Sequence, residues 1–192
     1  NHSISLMPTI DFLVAQASWQ PADLDRIVVA QGPGSYTGLR VAVATAKTLA
    51  YALDIDLVGV SSLQALMDLS ADGVVIPIMD ARRNNVYVGF YENGQAIVPD
   101  CHAAFTDVLE QAKTFEKVTF VGEVANFVDQ IKESLPEATI LSSLPSALLI
   151  GRLGLSLPVD AFVPHYLKRV EAEENWLKTH EETNRDNYIK RV

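Results

Sequence analysis

Apolar residues near the start of the chain follow first a helical and then a strand-like period. Residues 3–17 carry one apolar stripe at helical spacing, and Pro8 within its early turns favours a helix that begins near that residue. The run RIVVA at 26–30 predicts a short buried strand, because it is rich in β-branched residues. The stripe over residues 3–17 consists of Ile4, Met7, Ile10, Leu13, Val14 and Ala17.

A glycine-rich turn follows this strand and opens a second helix, which the pattern extends to about Leu53. The helix is apolar around much of its circumference, and a helix of that kind is buried on more than one side. Leu57–Val60 predicts a further strand. After it, Ser61 or Ser62 is suited to cap a helix over Leu63–Leu69.

The second half of the chain opens with a continuous apolar strand, Val74–Met79. Val86–Tyr91 alternates as a strand, and Glu92-Asn93-Gly94 predicts a hairpin into Gln95–Val98. The pattern then predicts strands at 118–121 and 139–141, helices over 124–135 and from about Ser146, and a charged amphipathic segment over 168–181. Strands and helices alternate with hairpins interposed, so the fold class is mixed α/β with two lobes.

Composition narrows the function classes. The 192 residues are 48% hydrophobic and 20% charged, which is typical of a globular protein. Apolar runs reach only strand length, so no membrane-spanning helix and no membrane partner are expected. A net charge of -9 opposes independent, tight binding to nucleic acid, and the single cysteine, Cys101, excludes a disulfide framework. A basic cluster near the C-terminus (Lys168, Arg169, Lys190, Arg191) is better interpreted as part of a solvated helix.

The glycine turn at residues 32–40 is the strongest local signal. A strand that enters a glycine loop and then a helix can present N–H groups to a phosphate. However, Pro33 has no N–H, and no Lys-Ser/Thr pair follows as in a P-loop. The pattern therefore favours a structural turn, with a phosphate cradle as the alternative. The residues of this predicted turn are Gly32, Gly34, Ser35 and Gly38.

Asp80, Arg82 and Arg83 form a possible polar site at the end of a strand, although an internal ion pair or a partner contact explains them equally well. The four histidines are scattered, and none stands at the helical spacing of metal ligands. Neither a nucleophile elbow nor a metal cluster is visible. We therefore predict no catalytic residue and no metal site.

Several family-like motifs are spread along nearly the whole chain: HS at 2–3, LMPTI at 6–10, GPGSYTGLR at 32–40, VSSL at 60–63, DARR at 80–83, VYV at 86–88 and VPHYLKR at 163–169. Together they resemble the TsaB (YeaZ) family. That resemblance implies an actin-like fold (ASKHA, ribonuclease H-like), with lobe 1 formed by residues 1–73 and by 160–192 returning to it, and lobe 2 by 74–159. The family begins with a strand and a hairpin before the first segment seen here, so we expect the first hairpin of lobe 1 to be missing from this numbering.

The same resemblance implies a non-catalytic subunit in the cytoplasm. It would pair with the paralogue TsaD and with TsaE to form N6-threonylcarbamoyladenosine at position 37 of tRNAs, and it would meet tRNA only through the complex. The catalytic paralogue has a Val-Asn-His-x-x-x-His segment whose histidines hold a metal. Ser62 and Leu66 occupy those positions here, and leucine offers no ligand atom. We therefore expect no cofactor of its own, with ATP and metal handled by the partners.

Two other functions remain open from the sequence. One is a free-standing actin-like ATPase or carbamoyl-transfer enzyme that uses the 32–40 glycine loop. The other is a homodimeric scaffold that acts without TsaD. In the resembling family, the first two helices form the surface that binds TsaD, or a second copy when TsaD is absent. The residues expected at this interface are Ile4, Met7, Leu39, Val43, Lys47 and Ala50.

Overall fold

The computed structural model describes residues 2–67, 71–152, 155–156 and 158–168. These residues form two β-sheets with helices packed on them. The helices are α1 (His2–Gln16), α2 (Tyr36–Leu53), α3 (Phe105–Ala112), α4 (Val128–Ser134) and α5 (Ala147–Ile150). The strands are β1 (Arg26–Gly32), β2 (Asp56–Ser61), β3 (Val74–Asp80), β4 (Asn85–Glu92), β5 (Gln95–Ala104), β6 (Val118–Gly122), β7 (Thr139–Ser142) and β8 (Leu155–Ser156).

The first sheet has the order β1-β2-β8, with β1 and β2 parallel and β8 antiparallel to β2. The helix α2 connects β1 to β2 and packs Val43, Ala46 and Ala50 against the sheet. Phe162, which is 1% exposed, enters the same core from residues 158–168. The described part of the C-terminal segment therefore packs on the first sheet.

The second sheet has the order β5-β4-β3-β6-β7. Its hairpin strands β3, β4 and β5 are antiparallel, whereas β6 and β7 continue parallel to β3. One face carries the main core, where Phe105 of α3 contacts Phe127 with their ring centroids 4.4 Å apart. Full burial of a side chain of this size contributes about 1.5–3 kcal/mol to the free energy of unfolding. This face carries the larger of the two cores of the second sheet.

The other face of the second sheet meets the segment that connects the two sheets. Met67 from this segment packs with Val75, Tyr91 and Val121 in a smaller core. Ser143 Oγ donates to the Leu66 carbonyl (2.8 Å), and Ser146 N donates to the Ala65 carbonyl (2.8 Å). The connecting segment is thereby attached to the second sheet.

Three predicted helices have different bounds in the structure. The first helix continues across Pro8 and begins at His2. The helix predicted over Leu63–Leu69 is only a 3-10 turn, Gln64–Leu66, within the described residues. Its Ala65 and Leu66 carbonyls accept hydrogen bonds from Ser146 and Ser143, respectively. These carbonyls therefore have partners that are distant in the sequence and do not belong to the predicted helix.

The third difference is at 124–135, where a helix forms only over Val128–Ser134. The charged segment predicted over 168–181 lies outside the described residues beyond Lys168. The lobe bounds remain a prediction, and β8 pairs with the first sheet although its residues fall within the predicted second lobe. No described helix combines the length and apolarity needed to cross a bilayer.

Candidate functional site: the glycine turn and the exposed first helix

Gly32 is the glycine on which the conformation of the turn depends. Its φ is 137°, a region that residues with side chains rarely adopt, and its bond to Pro33 is cis. A Cβ added at Gly32 would collide with the backbone carbonyl oxygen of His165. Gly34 and Gly38 lack both constraints, because their nearest non-local atoms would lie 3.6 Å (Leu39 Cδ2) and 3.5 Å (Ser35 Cβ) from such a Cβ.

The backbone around this turn is bound within the protein. The Gln31 carbonyl accepts from His165 N (2.7 Å), and the Gly32 carbonyl accepts from Ser62 N (2.8 Å). Ser35 caps α2, with its hydroxyl accepting from Gly38 N at 3.4 Å. The turn therefore joins β1, the end of β2 and the segment 158–168, which is the arrangement of a structural turn.

A stack of three side chains lies where α2 begins. The rings of Tyr36 and Tyr166 are stacked with centroids 4.8 Å apart. Arg40 Nη1 donates to the Tyr36 hydroxyl (3.0 Å), and its guanidinium carbon lies 5.6 Å from the centre of the Tyr36 ring. That hydrogen bond to Tyr36 raises the pKa of Arg40. Both tyrosines stand in the family-like motifs, yet no local pattern indicates that the two rings meet.

Asp80 organises the turn between β3 and β4. Its Oδ1 accepts from Arg82 N (2.7 Å), its Oδ2 accepts from Asn126 Nδ2 (3.1 Å), and its own N–H donates to Glu123 Oε2 (2.7 Å). Residues 82–84 all have positive φ, with values of 68°, 54° and 56°. Asn84 tolerates this region, but each arginine there costs roughly 1–2 kcal/mol, so the contacts of Asp80 serve to hold this turn. The predicted polar site is thus a turn whose two arginines are exposed.

The positions of the paralogue's metal ligands have other roles here. Leu66 is buried, with 3% of its surface exposed, and Ser62 donates its N–H to the Gly32 carbonyl. Among the described residues, no group of three or more His, Cys, Asp or Glu side chains is placed to share a metal ion. The expectation of a subunit without its own metal remains a prediction.

The two predicted interface helices differ in how much of their surface is free. Helix α1 exposes most of its apolar side chains, including Ile4 (73%) and Met7 (46%). On α2, by contrast, the predicted interface positions face inward. The structure buries Leu39, Val43 and Ala50 in the chain's own interior, and Lys47 Nζ donates to the Phe162 carbonyl (3.0 Å). This corrects the assignment for α2, because helical periodicity alone does not reveal which stripe meets the sheet.

One polar cluster was missed by the sequence analysis. Tyr91 OH donates to Asp100 Oδ1 (2.5 Å), and Ser61 Oγ donates to Asp100 Oδ2. Burial, reinforced by Asp100, raises the pKa of Tyr91, which is 2% exposed. Burial also raises the pKa of the Cys101 thiol, again with a contribution from Asp100. Ser61 and Asp100 lie 39 positions apart in different sheets, so no local pattern could have connected them.

Comparison with known proteins identifies the family. Residues 1–176 match the family model described as TsaD, tRNA N6-adenosine threonylcarbamoyltransferase. The Bacillus subtilis protein named tRNA threonylcarbamoyladenosine biosynthesis protein TsaB is 39% identical over 194 aligned positions, which cover 93% of this chain and 85% of that protein.

Two solved structures from Pseudomonas aeruginosa share the fold. One, a protein with similarity to peptidase YeaZ, has a TM-score of 0.70 at 24% identity and covers 88% of this chain and 85% of its own. The other, YeaZ, has a TM-score of 0.63 at 22% identity, with 86% and 84% covered. The two sheets and their helices thus define an actin-like α/β protein of the ASKHA class, as predicted. Within that class, the chain belongs to the TsaB (YeaZ) family, and its match to the TsaD model fits the paralogous relation between the two families.

Proposed function

We propose that this chain takes part in the biosynthesis of threonylcarbamoyladenosine in tRNA as a non-catalytic subunit that binds and positions a TsaD-like partner. Membership of the TsaB family supports the pathway. The observation that carries the partner role is the exposed apolar surface of α1. A TsaE-like ATPase is the second partner in this proposal. The chain works in the cytoplasm and meets tRNA only within the complex.

The α1 surface has the character of a protein interface. Exposed apolar patches of this kind on soluble proteins mark sites of association. Within the described residues, the hydrogen bonds that end α1 are local, such as Trp19 N to the Val14 carbonyl (3.1 Å). The large apolar side chains exposed on α1 or just after it are Ile4, Met7, Phe12, Leu13 and Trp19.

A self-complementary surface also gives a two-fold homodimer when the partner is absent. We expect such a dimer to bury roughly 1,200–2,000 Å² in total, the usual range for a specific interface. The same surface then serves in turn for a second copy and for the TsaD-like protein, so the two associations compete. This competition distinguishes the subunit from a scaffold that acts only as a homodimer.

In this proposal the partner subunits carry out the chemical steps of the modification. The Gln31 and Gly32 carbonyls accept from His165 and Ser62, and the Gly38 N–H donates to Ser35 Oγ, which supports a structural role for the turn. ATP and metal are accordingly handled by the partner subunits. The rival function, a free-standing ATPase or carbamoyl-transfer enzyme, requires the purified chain to turn over ATP by itself. An ATP-turnover assay on the isolated chain therefore separates the two functions.

The partner role is tested by placing a charge on α1. Met7→Glu puts a carboxylate into the proposed interface, where an unpaired charge is costly. Gln16→Glu adds the same charge at a polar, exposed position of the same helix and is the matched control. We expect Met7→Glu, but not Gln16→Glu, to abolish dimers in light scattering and capture of the TsaD-like partner, with unchanged circular dichroism. A folded Met7→Glu variant that still dimerises and still binds the partner would place the interface elsewhere.

The pathway itself is tested in cells. Depletion of the chain should lower the threonylcarbamoyladenosine content of tRNA, and re-expression of the wild type should restore it. Re-expression of Met7→Glu should not. A normal threonylcarbamoyladenosine content of tRNA after depletion would contradict a role of this chain in the pathway, whatever its partners are.

A further inference from the structure

Asp100 lies on the face of β5 that points away from the main core. Cys101 and Ala103 pack against the main core of the second sheet, and side chains alternate along a strand, so Asp100 points to the opposite face, the one that meets the first sheet. Val88 pairs with Cys101 and Phe90 with Val98, so two residues of β5 stand opposite Gly89 alone. This β-bulge returns Val98 to the core face, although three residues separate it from Cys101.

The strand β4 leaves space for this carboxylate. A Cβ added at Gly89 would collide with Asp100 Oδ1 and would lie 2.7 Å from Tyr91 Cε2. Any other residue at this position would displace the carboxylate or the ring. The missing side chain at Gly89 therefore provides the space that the Asp100 carboxylate occupies.

Two hydroxyl groups from different sheets donate to this one carboxylate. Tyr91, on β4, belongs to the same sheet as Asp100, so its bond to the carboxylate lies within the second sheet. Ser61, the last residue of β2, belongs to the first sheet. Ser61 is itself fixed, because its Oγ accepts from Leu63 N (3.0 Å) and its N–H donates to Gln64 Oε1 (3.2 Å).

We propose that the Asp100 carboxylate is a clasp that holds the two sheets in one relative orientation through its bond to Ser61. The chain passes from the first sheet to the second between Ser61 and Val74 and returns between Ser142 and Leu155. Any change in the angle between the sheets must be taken up in these two connections. The clasp ties the start of the first connection to an edge strand of the second sheet, β5. Breaking it frees the sheets to reorient while each keeps its own core.

This mechanism distinguishes the two hydroxyl donors. Loss of the Ser61 hydroxyl removes the bond between the sheets. Loss of the Tyr91 hydroxyl removes a bond within the second sheet and leaves the clasp closed. A network that contributed only to overall stability would not separate these variants, so the comparison between them tests the clasp specifically. The test does not depend on the proposed partner.

The experiment measures the distance between the sheets by double electron–electron resonance. Spin labels are attached to Ala44→Cys on α2 and Lys132→Cys on α4, both exposed positions, in a background where Cys101 is alanine. Labelled chains are diluted with unlabelled protein so that distances between copies do not contribute. We compare Ser61→Ala, Asp100→Asn and Tyr91→Phe, with Asp107→Asn, an exposed carboxylate on α3, as the matched control.

Ser61→Ala and Asp100→Asn should broaden the distance distribution. The population of reoriented sheets should rise roughly 10-fold to 100-fold, the factor that corresponds to one hydrogen bond to a charged group. Tyr91→Phe and Asp107→Asn should keep the distribution of the starting protein. An unchanged distribution in folded Ser61→Ala would overturn the proposal, and so would equal broadening in Tyr91→Phe. If Asp100→Asn does not fold, Ser61→Ala and Tyr91→Phe still decide the question.

Discussion

Gly32 lies directly against the backbone carbonyl of His165, 133 positions later in the chain (165 minus 32), with no room between them for a side chain. This contact closes the turn between β1 and α2 onto the C-terminal part of the described chain. It joins parts of the first sheet that are distant in sequence, so the glycine is required by the tertiary structure and not by the turn alone.

Gly32→Ala should therefore lower the free energy of unfolding. The cost combines a positive φ with a collision, and the strained backbone alone accounts for about 1–3 kcal/mol. Gly38→Ala, in the first turn of α2, is the matched control, and it should be neutral or stabilising by up to about 1 kcal/mol. Urea denaturation of both variants measures the difference. Equal midpoints would mean that the contact with His165 does not constrain the turn.

Lys47 should stabilise the chain itself. Its Nζ donates to the carbonyls of Phe162 (3.0 Å) and Asp160 (3.4 Å), which attaches the segment 158–168 to α2. Lys47→Met keeps most of the apolar stem but removes the donor. We expect a loss of about 1.5 kcal/mol, the lower end for a hydrogen bond to a charged group. Lys132 is an exposed lysine on α4, and Lys132→Met should change the free energy of unfolding little. A loss of stability in Lys132→Met as large as that in Lys47→Met would contradict the prediction.

The Cys101 thiol should react slowly at mildly alkaline pH. Burial, with a contribution from Asp100, raises its pKa, so the protonated form persists at a pH where an ordinary thiol, with a pKa of about 8.5, has begun to ionise. Only the thiolate attacks an alkylating reagent. The rate of iodoacetamide modification, followed by mass spectrometry between pH 7 and pH 10 or so, should therefore rise at higher pH in the folded protein than in urea.

The matched control for this prediction is Asp100→Asn. Removing the negative charge beside Cys101 should lower the thiol pKa and shift the rate profile toward that of the unfolded chain. Superimposable profiles for the folded and the urea-unfolded wild type would show that neither burial nor Asp100 protects the thiol.

The sequence by itself was sufficient for most of the strands and for the family. Strand periodicity located β1, β3, β4 and β6, and Glu92-Asn93-Gly94 marked the hairpin into β5, with positive φ at Asn93 and Gly94. These features depend on near neighbours in the chain, such as a turn residue that tolerates φ > 0. The family motifs could likewise be recognised along the chain, and the family match confirmed the resemblance that they indicate.

Tertiary structure decided which of several possible faces and partners each element uses. The α2 helix is apolar on too much of its circumference for periodicity to choose a face, and packing against the first sheet selected the stripe with Val43 and Ala50. Of the helix predicted after Ser62, the described residues show only the turn Gln64–Leu66, and its Ala65 and Leu66 carbonyls accept from Ser146 and Ser143, far along the chain.

The polar clasp shows the same limit most clearly. Neither Ser61 nor Asp100 stands out in its local pattern, and the carboxylate reaches the serine only where Gly89 leaves space for it. Such a contact depends on register and on the packing of two sheets, which are long-range properties. Local sequence determines which conformations a segment prefers, whereas burial and distant hydrogen bonds determine which of those conformations the folded chain adopts.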